Sequence, residues 1–224
     1  MLRSSFFILC LALLTASVSW AVPPSNGYIG IFGDAFGSNC CFSLPAQQNG
    51  NDRFYIYYVT GGAGAAGISG AEFKVSLEPA SPGTWHQWEP DNGFQHSSGD
   101  AFDNGSGGGA LITSNQCQTQ TGLAGDKILL GVVRVKDLYD EHQVKVKASD
   151  TPSNPNFACP SVFLCDGPAF TQVALTLQQG DPALGGEDPV GFVATVNSQS
   201  CGGSSCGFVA VEQNSWSTVK GLYR

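Results

Sequence analysis

Residues 68–79 read Ile68-Ser-Gly-Ala-Glu-Phe-Lys-Val-Ser-Leu-Glu-Pro79, and this stretch decides the fold. Ala71, Phe73, Val75 and Leu77 alternate with Glu72, Lys74 and Ser76. Successive side chains of a strand leave opposite faces, so this period of two predicts a strand with one buried and one wet face. Upstream, Arg53-Phe-Tyr-Ile-Tyr-Tyr-Val-Thr60 is aromatic and β-branched, the composition that fits a pleated surface. Tyr28-Ile-Gly-Ile-Phe32 reads as a first strand, stopped by Gly33-Asp34. Downstream, strands are expected at 110–113, 127–136, 143–148, 171–177, 190–196 and 207–212. Residues 91–109 are rich in Gly, Asn, Asp and Ser and read as loops, as does the proline-bearing 150–160. No helical period appears before the last dozen residues. The prediction is an all-β antiparallel sandwich, jelly-roll or immunoglobulin-like, with a short helical C-terminal tail.

The N-terminus has a different character. Arg3 precedes an apolar run from Phe6 to Leu14, and Ser19-Trp20-Ala21 follows. A positive start, a short greasy core and small residues at −3 and −1 predict a secretory signal peptide over 1–21. The core is too short for a bilayer, which needs about 20 apolar residues. The expected organisation is therefore a leader, a sandwich over 22–200, and a tail over 201–224. The tail holds a disulfide loop, a strand and the helix.

Composition agrees with export. Only 12% of residues are charged, against about 25% in an ordinary globular protein. The formal net charge is −8, which argues against a nucleic-acid-binding face. Glycine is abundant, and polarity comes largely from Asn, Gln, Ser and Thr, as in extracellular β-proteins and chains whose surfaces adhere.

Of eight cysteines, Cys10 lies in the leader. The rest are Cys40, Cys41, Cys117, Cys159, Cys165, Cys201 and Cys206. In an oxidising compartment they read as disulfides. Cys201–Cys206 closes a glycine-serine loop, and Cys159 with Cys165 could also close locally. Cys40 and Cys41 are neighbours and take different partners, Cys117 being one candidate. The number is odd, so one thiol stays free or bonds between chains. Zinc is not indicated, because no C-x-x-C occurs and the histidines stand apart.

Few motifs carry chemistry. Gly62-Ala-Gly-Ala-Ala-Gly67 matches a dinucleotide fingerprint, but strand periodicity follows it where a helix is required. It reads as a loop between strands, and no cofactor is expected. Asp100, Asp103 and Asn104 before a glycine run are a candidate Ca²⁺ loop, since oxygen ligands on a tight turn suit that ion. Asn104-Gly-Ser106 is also a glycosylation sequon. Trp85 and Trp88 are the candidate ligand-binding residues, because aromatic faces stack on sugar rings. The zinc-protease motif H-E-x-x-H is absent. Glu89 with Asp91, or Asp140 with Glu141, are the nearest to paired carboxylates, and near-adjacent acids on a loop are ordinarily solvated. No enzyme is expected. In the tail, Trp216, Val219 and Tyr223 fall on one helical face, with Lys220 and Arg224 suited to the C-terminal dipole. So short a helix must dock, on the sandwich or on export and sorting machinery.

The 68–79 stretch resembles the G-A-E-F-x-L-x-Y-D-P strand of cohesin-type sandwiches, relatives of the carbohydrate-binding-module jelly rolls of secreted bacterial proteins. The likeness runs over residues 53–148 and implies that architecture. Leu77-Glu78 stand where that family has an aromatic residue and Asp, and no dockerin-like calcium repeat occurs, so no site residue is carried over.

The sequence thus predicts a secreted or cell-surface, non-catalytic binding or adhesion module for a glycan or extracellular protein partner. A structural subunit of a surface or matrix assembly, able to self-associate, is the alternative. An extracellular hydrolase is the second. No nucleic-acid partner and no transmembrane segment after the leader are expected.

Overall fold

A computed structural model describes residues 26–42, 52–60, 67–103, 107–119, 127–136, 138, 140–155, 159–165, 171–175 and 193–196. The expectations for the leader, Asn104, the Cys201–Cys206 loop, the last strand and the helical tail with Trp216, Val219 and Tyr223 lie outside these residues.

The described chain is all-β and folds as two facing sheets. No helix among the described residues is long and apolar enough to cross a membrane. The strands are β1 (Tyr28–Phe32), β2 (Cys41–Phe42), β3 (Asp52–Val59), β4 (Ile68–Glu78), β5 (His86–Pro90), β6 (His96–Asp100) and β7 (Phe102–Asp103). They continue with β8 (Gly109–Gln118), β9 (Lys127–Val135), β10 (His142–Lys147), β11 (Ser161–Leu164), β12 (Thr171–Ala174) and β13 (Val193–Val196). The smaller sheet runs β1-β3-β9-β5, antiparallel throughout.

The larger sheet is organised by β4, the strand read first in the sequence. Its first half, Ile68–Phe73, lies between β8 and β11. Its second half pairs with β10 over Lys74–Glu78 and with β7, in parallel, over Val75 and Ser76. β12 extends one flank, and β13 with β2 the other.

The alternation fills the space between the sheets. Ile29, Ile31, Phe54, Ile56, Leu130 and Val133 come from the smaller sheet, and Phe73, Val75, Ile112, Val144, Val146 and Val162 from the larger; all are buried. Phe54 meets Phe102, and Phe73 meets Trp88 edge-to-face at 5.9 Å, so aromatic contacts tie one sheet to the other.

Two parts of the 91–109 stretch expected to be loop are strands, β6 and β7. Neither has an alternating apolar pattern. They are strands because the edges of β8 and β4 offer them a hydrogen-bonding ladder, and partner context outweighs intrinsic preference in sheets. The apolar stretch between Cys159 and Cys165 holds a further strand, β11, which pairs with both β4 and β12.

The cysteine expectations change as well. Cys117 is bonded to Cys165, with Cα atoms 6.0 Å apart. Cys159 carries a free thiol, so neither the local Cys159–Cys165 closure nor a Cys117 bond to Cys40 or Cys41 forms. Cys40 is itself disulfide-bonded.

Candidate functional site

The outward face of the smaller sheet follows from its register. Arg53, Arg134 and Gln87 form one row across β3, β9 and β5. Tyr55, Val132 and Glu89 form the next. Beyond the first row, the Lys136 N–H donates to the Trp85 carbonyl at 3.0 Å, which extends the ladder by one more pair. The intervening residues, Asp52, Phe54, Val133, Val135, His86 and Trp88, belong to the inward face.

This parity separates the two tryptophans. Trp85 is outward, 43% exposed, and the Lys136 ammonium lies 4.4 Å from its ring centroid. Trp88 is inward and packs on Phe73 in the opposite sheet. Its buried indole N–H has no hydrogen-bond partner among the described residues. A side chain on Gly131 would collide with that indole, so the glycine makes room for the ring. The two aromatic faces expected to act together are therefore divided. Trp88 belongs to the core, and Trp85 alone faces outward.

Arg134 is ion-paired to Glu89, with Nε 3.0 Å and Nη2 2.9 Å from one carboxylate oxygen. Arg53 is exposed and has no ion pair among the described residues. At the other end of this sheet the 33–39 loop folds over Phe32 and Tyr57. The Tyr57 hydroxyl donates to the Ala35 carbonyl at 2.6 Å. The Asp34 carboxylate gathers the N–H groups of Phe36, Ser38 and Asn39. Phe36, at the tip, is 58% exposed. Sequence reasoning did not single out Arg53, Arg134 or Phe36. Only strand register reveals the arginine pair; a lone aromatic residue beside a Gly-Asp turn was the available signal for Phe36.

The outward face of the larger sheet is different: its charges are matched internally. Glu78 bonds to both Lys145 and Lys147, and these lysines hold its carboxyl below the usual range. The buried Glu72 carboxylate accepts from the Ser153 N–H at 2.7 Å and its hydroxyl at 2.8 Å.

Of the candidate calcium ligands, Asp100 and Asp103 are each engaged within the protein, and Asn104 lies outside the described residues. Both Asp100 oxygens are engaged, one with His86 Nε2 at 3.0 Å and the other with the Phe102 N–H at 2.9 Å. Asp103 accepts from the Gly107 N–H and lies 3.2 Å from the Lys74 ammonium. Asp150 reaches the same ammonium at 2.6 Å, so a lysine neutralises these two carboxylates. Among the described residues no cluster of three or more His, Cys, Asp or Glu could hold a metal ion.

The near-adjacent acids are engaged or solvated. Glu89 serves Arg134, Asp91 accepts from the Gly93 N–H in its own turn, and Asp140 and Glu141 are exposed.

No family model, curated protein or solved structure matches this chain.

Proposed function

We propose that this protein is an exported, non-catalytic β-sandwich module that binds a glycan on the outward face of its β1-β3-β9-β5 sheet. Export rests on the leader-like residues 1–21 and on the cysteine usage. The observation that carries the reading is Trp85, a large aromatic ring 43% exposed on the outer side of a sheet with the Lys136 ammonium against it. Such a ring stacks on the C–H face of a pyranose, and neighbouring polar groups fix the sugar's orientation. Gln87 and Arg53 are exposed on the same face. The test is a glycan-binding screen on wild type and Trp85→Ala. Binding that Trp85→Ala abolishes supports the reading, and a wild-type protein that binds no glycan overturns it.

A second reading, a subunit of a surface assembly, has β6 in its favour. Among the described residues this strand pairs only with β8, which leaves a polar, exposed sheet edge. Unpaired strand edges template association with another chain. Sedimentation that stays monomeric at high concentration would count against it.

A further inference from the structure

We infer that the ligand of this face is an acidic glycan, a polysaccharide bearing carboxylate or sulfate groups, and that Arg53 and Arg134 bind its anionic substituents; the inference rests on the glycan-binding reading above. Arg53 and Arg134 stand directly opposite each other on adjacent strands. Like charges in that relation destabilise a sheet. One carboxylate, Glu89, answers Arg134, and no ion pair among the described residues answers Arg53. Lys136, just past the end of β9 and with its ammonium against the Trp85 ring, adds a third cation on the same face, two residues from Arg134 and about 7 Å away by strand rise. In a chain of net charge −8, three cations gathered on one sheet face are out of proportion, and an anion between the arginines relieves their repulsion.

The chemistry selects among anions. A guanidinium meets a carboxylate or a sulfate through paired N–H donors. Trp85 offers a stacking surface beside them, and Gln87 offers an amide for hydroxyl groups. Nucleic acid carries phosphate at high density and calls for a broad basic surface, which the net charge opposes. Anionic membranes recruit clusters of 4–8 basic residues, more than this face presents. A sugar acid, with one charge per residue or per two residues, suits three spaced cations and an aromatic ring.

The experiment is a titration of the purified, oxidised protein with polygalacturonate, heparin, a neutral cello-oligosaccharide, a single-stranded oligonucleotide and anionic phospholipid vesicles. Wild type is compared with Arg53→Gln and Arg53→Lys, with thermal melts confirming that all are folded. The expected result is binding of an acidic glycan that salt weakens. Arg53→Gln should weaken it about tenfold, the worth of one charge-assisted hydrogen-bonded pair, and Arg53→Lys should fall between. Neutral-glycan binding that is indifferent to Arg53 would overturn the inference and leave the glycan-binding reading standing. No binding to any glycan would overturn both. Equal binding of the oligonucleotide or the vesicles would overturn the inference in favour of generic polyanion attraction.

Discussion

Cys117 and Cys165 are bonded to each other across the start of β4. Their chain neighbours Gln118 and Leu164 both pair with Ile68, one from each side. Gly67, with φ of +99°, turns the chain into that clasp. Its carbonyl accepts from the Cys165 N–H, and a side chain there would strike the Gln118 carbonyl. The bond joins β8 and β11 around the strand that organises the larger sheet. It also closes a separation of 48 residues, so it restricts the unfolded chain considerably. Replacing both cysteines with serine should lower the unfolding free energy by about 2–4 kcal/mol. Denaturant unfolding of the oxidised wild type and the double variant measures it.

Trp88 and Gly131 form a second tight relation, because the indole occupies the space a side chain at 131 would fill. Gly131→Val should displace the ring from Phe73 and cost about 1–3 kcal/mol, the usual penalty of overpacking a core. The melting temperature reports the loss, and a red-shifted tryptophan emission would report the displacement.

Lys74 joins Asp103 and Asp150, and with their side chains 11% and 12% exposed Lys74 and Asp103 are largely out of water. Lys74→Met leaves both carboxylates without their cation and should destabilise the fold by about 1–3 kcal/mol at neutral pH. The lysine's hydrogen bond is the main cause that holds the Asp150 carboxyl below its ordinary range. A lowered folded-state pKa gives stability that is present above the unfolded value, near 4, and is lost as pH falls through the folded one. Wild type should therefore weaken in acid over that window, with the lowered Glu78 contributing in the same direction. The gap between wild type and Lys74→Met should narrow over the same range, and chemical denaturation from pH 7 to pH 2 tests this.

Asp52 acts in the opposite sense. It points inward beside Val135, and burial raises its carboxyl pKa. A raised folded-state value means that stability is lost as pH climbs from the unfolded value through the folded one. Asp52→Asn removes that loss. The variant should be more stable than wild type at pH 7 and no more stable at pH 3. Paired melts at the two pH values decide the matter, and an equal change at both would assign the effect to packing instead.

Much of this was legible from residue order, and the physical reason is local. Apolar and β-branched composition, with a period of two in β4 and β10, let β1, β3, β4, β9 and β10 be read to within a residue or so at each end. The face of β4 expected to be wet is nonetheless covered, with Ser69, Glu72 and Ser76 buried, because flanking segments pack over it. Trp85 and Trp88, offered by the sequence as one ligand-binding pair, are not separated there, because β5 is not among the strands it predicts. Once the pairing of β5 with β9 is known, three positions along a strand is an odd step and the two rings part. β6 and β7 carry no such mark. Gly, Ser and Asp there have no strand preference, and only the open edges of β8 and β4 draw them into the sheet.

The sequence by itself determined the class of fold, the position of its most apolar strands, and a chemistry of few charges and many cysteines. Each of these depends on neighbours within a few residues or on composition alone. Tertiary structure decided what depends on register between distant segments. It bonded Cys117 to Cys165 in place of the nearer Cys159. It gave Asp103 a lysine partner and Asp100 a histidine partner. It also set Arg53 opposite Arg134. Strand pairing is fixed by burying one continuous core, a condition on the whole chain that no local stretch contains.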